Sequence, residues 1–104
     1  MTGTSGDTHL IRLRGAVDMV TEDQFDGMLL AFQDSAATDI EVDLRFVTFL
    51  DSSGLGLLAR LNQASRQRGG SVTLLSPPSQ VMRTLRLVGF DQIFSITESP
   101  HPRH

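Results

Sequence analysis

The chain has 104 residues, 39% of them hydrophobic, which is enough for one compact core and too few for two. It has no cysteine and all nine basic residues are arginine, so disulfides, thiolate chemistry, cysteine-held metals, a phosphate-loop lysine and a lysine Schiff base are excluded. Nine basic against twelve acidic side chains leave a net charge of −3, which gives no electrostatic reason to seek nucleic acid or an anionic membrane.

Residues 1–8 are small and polar and are expected to form a flexible N-terminus. Residues 9–14 (HLIRLR) are rich in strand formers, with Leu10 and the pair Ile11/Leu13 on opposite faces. Gly15 interrupts this strand, Ala16 and Val17 extend it, and Asp18 lies at its exit. Thr21 followed three residues later by Gln24 is a capping-box pattern, and Glu22 and Asp23 put negative charge in the first turn, where the helix dipole favours it. Phe25, Met28, Leu29 and Phe32 then form one apolar stripe, predicting a helix to about Ala36.

Residues 40–44 alternate with period two and predict a strand; Val47, Phe49 and Leu50 read as a connection crossing the sheet edge. Asp51-Ser52-Ser53-Gly54 stops that run, with Ser52 or Ser53 expected as the N-cap of a second helix. Its inner side is predicted to carry Leu57, Leu58, Leu61 and either Ala64 or Ser65, and Gly69-Gly70 to end it. Residues 71–75 predict a strand. Ser76-Pro77 reads as an N-cap with proline at the first helical position, before a third helix with Val81, Leu85 and Val88 inward and Met82 alongside. Gly89 closes that helix, residues 93–96 predict a last short strand, and residues 98–104 a flexible tail. The alternation predicts a single α/β domain over residues 9–97 with a mostly parallel sheet.

No apolar run approaches the roughly 18 residues of a spanning helix, and the N-terminus lacks the basic and apolar regions of a secretion signal. A soluble, cytoplasmic domain without membrane insertion is expected.

The densest polar cluster is Asp51-Ser52-Ser53-Gly54, between an apolar run and a helix start, where functional groups gather in open α/β sheets. Plain capping is one reading. The other is a phosphoacceptor serine, since a helix N-terminus tolerates the added charge while the surface changes. A catalytic serine is a poor third. The segment is not a G-x-S-x-G elbow, and His9, His101 and His104 lie towards the ends of the chain, leaving no core base. Asp18, Asp43 and Asp51 fit no metal-loop spacing and read as caps and solvated charges. Gly54 and Gly56 lack the third glycine of a dinucleotide fingerprint and read as permitting close helix–sheet packing. Arg60, Arg66, Arg68, Arg83 and Arg86 read as solvated helix faces.

Over residues 9–96 the chain resembles a STAS domain of the anti-sigma factor antagonist type. VTFLDSSGLG (47–56) looks like that family's phosphorylation loop and helix start, and LRGAVD (13–18) is similar to its G-x-[VL]-D signature. RGG (68–70) with VTLL (72–75), and the stretch from Ser76-Pro77 to Phe90, match the family's order. The resemblance implies a mixed sheet of four or five strands with three to four helices. The family's first strand would here be short or missing, because only eight residues precede His9.

Functionally, it implies a bacterial phosphoprotein of stress and transcription regulation that acts by partner switching, with no catalytic residue and no cofactor. The unmodified form would bind an anti-sigma factor that is also a serine protein kinase, releasing a sigma factor. Phosphorylation of Ser52, with Ser53 the second choice, would end binding, and a PP2C-type phosphatase would reset the cycle. Asp18, Asp51, Ser52, Ser53, Gly54 and Leu55 are implied at the partner contact, with the helix from about Ser53 to Arg68 as binding surface. The alternative within the family is a non-switching module docking a transporter or a stress-signalling scaffold.

Overall fold

The computed structural model describes residues 2–5 and 8–98. The elements run β1 (Thr2–Ser5), β2 (Thr8–Val17), α1 (Glu22–Gln33), β3 (Asp39–Leu50), α2 (Ser52–Gln67), β4 (Val72–Leu75), α3 (Ser79–Leu87), a 3-10 turn (Phe90–Gln92) and β5 (Ser95–Thr97). The five strands form one sheet in the order β1-β2-β3-β4-β5. β1 is antiparallel to β2 and every other pairing is parallel. This is the expected mixed α/β architecture, and of the two expectations for the first strand the short one holds. β1 has four residues, with Gly3 opposite Leu10, and its formation owes more to the template edge of β2 than to its own propensity. Residues 99–104 of the expected tail, and Met1, Gly6 and Asp7 of the expected flexible N-terminus, lie outside the described residues.

Each parallel neighbour is reached through one helix, and successive crossovers step in the same direction, so right-handed connections place all three helices on one face of the sheet. Burial agrees. Ile11, Leu13, Ile40, Val42, Leu44, Val72 and Leu74 join Phe25, Phe32, Leu57, Leu58, Leu61, Val81 and Leu85 in one apolar cluster. The predicted inner side of the second helix is therefore correct, with Ser65 rather than Ala64 fully inside; its hydroxyl donates to Thr38 O at 2.5 Å and Ser71 O at 3.1 Å.

Four local expectations need correction. First, residues 45–50 continue β3 and are not a connection. β3 carries two register shifts against β2, one between the pairs Arg12/Asp43 and Arg14/Phe46 and one between Gly15/Val47 and Ala16/Phe49. Each inserts an extra residue, so the inward positions step by three from Leu44 to Val47 to Leu50 and the period-two signature vanishes. Second, Ser76 does not cap α3. It sits at φ 52 and donates its hydroxyl to Glu98 O, while the helix starts at Ser79 after Pro78. Third, α3 ends at Leu87, which leaves Val88 46% exposed instead of in the core. Fourth, Gly56 is exposed with open space where a Cβ would stand, so of the Gly54/Gly56 pair just Gly54 is needed for close helix–sheet packing.

Two side chains expected on the surface are structural. Arg68 is half-buried: its guanidinium lies 4.5 Å over the Phe32 ring and donates to the carbonyls of Phe32, Gln33, Ser35 and Ala37 at 2.7–3.1 Å. Asp43 is neither a cap nor a solvated charge. It is 1% exposed, and its Oδ1 accepts the backbone N–H of Arg45, which the first bulge removes from regular pairing. Its Oδ2 accepts from Arg12 Nε at 3.1 Å, and Arg45 Nη2 lies 3.6 Å away.

Candidate functional site

β2 and β3 end side by side, with Val17 opposite Leu50, so the segments leaving both strands meet above the sheet. Asp51 is the N-cap of α2, in place of the expected serine, because its carboxylate reaches the first free donors of the helix. Its Oδ1 accepts from Ser53 N at 2.9 Å, Gly54 N at 3.1 Å and the Ser53 hydroxyl at 2.7 Å. Its Oδ2 accepts from Met19 N at 3.3 Å, in the loop after β2. The Ser53 Oγ in turn accepts from Val20 N at 2.9 Å, and Asp51 N donates to Val17 O at 3.3 Å. Asp51 and Ser53 thus bind the two loops into one unit. The Ser53 hydroxyl first, then the Gly54, Met19 and Ser53 N–H groups, hold the Asp51 carboxyl below the usual carboxylate range, while partial desolvation opposes them.

The bonded loop holds Met19 at φ 50, a left-handed conformation that a non-glycine residue adopts at a cost, and leaves its side chain 81% exposed. Gly54 packs where no side chain fits: a Cβ there would stand 2.5 Å from Val17 O and 3.1 Å from Leu50 Cδ2. This close approach seats the α2 N-terminus on the ends of both strands. Leu55 is half-buried against the core and Asp18 is exposed at the exit of β2.

Ser52 differs from its neighbours. It is exposed in the first turn of α2, and its hydroxyl has no hydrogen bond among the described residues. Beside it, Val20, Phe25, Ser53, Gly56, Leu57 and Arg60 line a shallow cleft of about 180 Å³ between α1 and α2. The Arg60 guanidinium lies 4.7 Å over the Phe25 ring at that cleft.

Among the described residues no histidine serves this hydroxyl. His9 is buried in the core, contrary to its expected place outside it, edge-on to Phe32 with ring centres 5.9 Å apart. It is eight residues before Val17 along β2, roughly 26 Å at strand rise. His101 and His104 lie outside the described residues. Asp18, Asp43 and Asp51 do not gather: among the described residues no group of acidic or histidine side chains is placed to hold a metal ion. No helix among them is long and apolar enough to cross a membrane.

A singly wound sheet with one helical face, and a capped serine loop where its two long strands end, is the architecture of a small α/β module. The chain belongs to the STAS domain family: residues 1–98 match the family model described as Mlab, STAS domain. It is 24% identical over 97 residues to an anti-sigma-B factor antagonist of Staphylococcus epidermidis, covering 93% of this chain and 90% of that one. The fold is shared with the anti-sigma factor antagonist SpoIIAA in its unphosphorylated form, at a TM-score of 0.80 and 24% identity over 93% of this chain and 86% of that one. The phosphorylated form of the Bacillus cell fate determinant SpoIIAA matches at a TM-score of 0.68 and 22% identity, covering 93% and 89% of the two chains.

Proposed function

We propose that this protein is an anti-sigma factor antagonist that works by phosphorylation-controlled partner switching in the cytoplasm. The unmodified chain binds an anti-sigma factor that doubles as a serine kinase and thereby releases a sigma factor. Transfer of a phosphoryl group from the kinase's ATP to the Ser52 hydroxyl ends the complex, and a PP2C-type phosphatase hydrolyses the phosphoserine. In this exchange the chain is ligand and substrate, not catalyst.

The observation that carries the reading is the division of labour in the loop. Asp51 and Ser53 are spent on holding it, and among the described residues the exposed Ser52 hydroxyl has no hydrogen-bond partner. A phosphate there adds about −1.5 to −2 charge at a helix N-terminus, where the dipole tolerates it. The first-turn N–H groups of Ser53 and Gly54 are already occupied by Asp51, so they do not fold the phosphate inward. The dianion stays at the surface beside the ionised Asp51 carboxylate and repels a docked protein without unfolding the domain. Asp18, Leu55 and the exposed turns of α2 complete the contact around it.

The test is labelling by the cognate kinase and ATP, with the modified residue mapped by mass spectrometry. The expected result is phosphate on Ser52, no labelling of Ser52→Ala with binding retained, and weakened binding by Ser52→Asp. Wild-type labelling of Ser52→Ala, or a complex whose affinity ignores both ATP and Ser52→Asp, overturns the switch; the second outcome would point to the non-switching module of a transporter or scaffold.

A further inference from the structure

The sheet face away from the helices carries an arrangement that the Ser52 loop does not use. Arg14 of β2 stands directly opposite Phe46 of β3, and Arg12 directly opposite Asp43. The Phe46 ring is 50% exposed and lies against two guanidiniums, with the Arg45 carbon 4.8 Å and the Arg14 carbon 5.7 Å from its centre. Beneath them the buried Asp43 carboxylate takes the Arg12 Nε and lies near Arg45. Arg14 forms no ion pair among the described residues. Three guanidiniums therefore face the Asp43 carboxylate, and with Glu41 on the same face the local charge is still +1 on a chain whose total is −3. Glu41, which alternates with the inward Ile40 and Val42, is half-buried on this same face, one row beyond Asp43 and away from Phe46, so the unbalanced positive charge lies at the Arg14–Phe46–Arg45 end. Towards the strand ends the surface turns apolar, with Ala16 opposite Phe49 and both exposed.

We propose that this face docks an acidic segment of a partner protein, its carboxylates on Arg14 and Arg45 and an apolar side chain beside Phe46 and Phe49. The charge is of the right sign. The ring holds the two guanidiniums in place, so little side-chain freedom is lost when they close on carboxylates in bidentate fashion. A second copy of the chain would set the Arg14–Arg45 cations against the same cations. Nucleic acid would gain the same two or three contacts but meet the repulsion of the acidic remainder, pI about 5.4. The docking does not depend on the state of Ser52.

The probe is a fluorescein-labelled peptide of six glutamates interrupted by two leucines, followed by fluorescence anisotropy and by amide chemical shifts of the full ¹⁵N-labelled chain. Binding is expected to weaken about tenfold in Arg14→Glu and similarly in Phe46→Ala, and to fall steeply between about 50 and 300 mM salt. Shift changes are expected along residues 12–16 and 45–49. Arg86→Glu, the same charge change on the exposed side of α3, should leave binding as in the wild type. Among the described residues the Arg14 guanidinium has no partner but the ring, so Arg14→Glu keeps the test valid where Arg45→Glu would disturb the bulge, and circular dichroism verifies its fold. The proposal is overturned if the peptide does not bind, if Arg14→Glu binds as well as wild type, or if the shifts gather on α2. It is equally overturned if a twelve-residue oligouridylate binds more tightly than the peptide, or if light scattering shows the face closing on a second copy.

Discussion

Replacing Arg68 with alanine tests how the two helices beside the site are joined. α1 ends at Gln33 with carbonyls that have no partner inside the helix, and no basic residue in its own last turn answers the negative end of its dipole. Arg68 supplies that cation from 31 to 36 residues further along, with bonds to Phe32 O, Ser35 O, Ala37 O and Gln33 O and a stack on Phe32. A hydrogen bond with a charged partner contributes about 1.5–3 kcal/mol and a cation–π contact about 0.5–2 kcal/mol. The four bonds are not additive, and water replaces those at the exposed edge. The expected loss for Arg68→Ala is about 2–4 kcal/mol, a large part of the roughly 5–15 kcal/mol that holds a domain of this size. Arg68→Lys should recover less than half, because an ammonium can neither span four carbonyls nor lie flat on a ring.

The chain has no tryptophan or tyrosine, so urea unfolding is followed by far-ultraviolet circular dichroism. A midpoint lower by on the order of 2 M is expected for the alanine variant. Arg66→Ala, on an exposed turn of the same helix, should stay within about 0.5 kcal/mol of wild type. An Arg68→Ala protein as stable as Arg66→Ala, or a lysine variant as stable as wild type, would refute the account of Arg68 as the cap of α1.

Three further predictions follow from polar groups of the sheet and the loop. Asp43→Asn keeps the shape but weakens the bonds to Arg12, Arg45 and the bulge N–H; with both arginines partly solvated the expected loss is about 2 kcal/mol, and the Arg45 amide should exchange faster with deuterium. Stability should also fall with acid. Burial lowers the His9 pKa, so the unfolded chain takes up that proton first, and the stability present above about pH 6.5 is lost progressively below it; His9→Gln should flatten that part of a urea-midpoint profile. Asp51, held below the usual carboxylate range, adds stability above that range that disappears as pH falls through its folded value, so Asp51→Asn should flatten the acid end only. Unchanged slopes in both variants would contradict these assignments.

Local chemistry was legible where local rules decide the outcome. The Thr21–Gln24 capping box forms with both bonds in place, at 3.0 and 3.2 Å, and Gly69 ends α2 at φ 79. What stayed hidden depends on partners distant in the chain. Nothing around Arg68 announces four carbonyls more than thirty residues upstream. Nothing within residues 44–50 shows that β2 will impose two bulges and turn Phe46 and Phe49 outward. One miss had its signal in plain view. Pro77 precedes Pro78, and a residue before proline is driven out of the helical region, so Pro77 could not open α3 and the helix waits for Ser79.

The two bulges in β3 connect the site to the fold. Without the two extra residues Val17 would stand opposite Thr48, and Leu50 would lie two residues beyond the end of β2 instead of pairing with Val17. That pairing brings Asp51 N to Val17 O and its carboxylate to Met19 N, and only then does Gly54 need to be glycine. The first bulge is held by the Asp43 carboxylate, which also sets Arg12 and Arg45 on the open face. One buried aspartate thus supports both the register that presents Ser52 and the arginines of the opposite surface. Loss of Asp43 should therefore disturb both surfaces together, whereas Arg14→Glu should leave the Ser52 loop untouched.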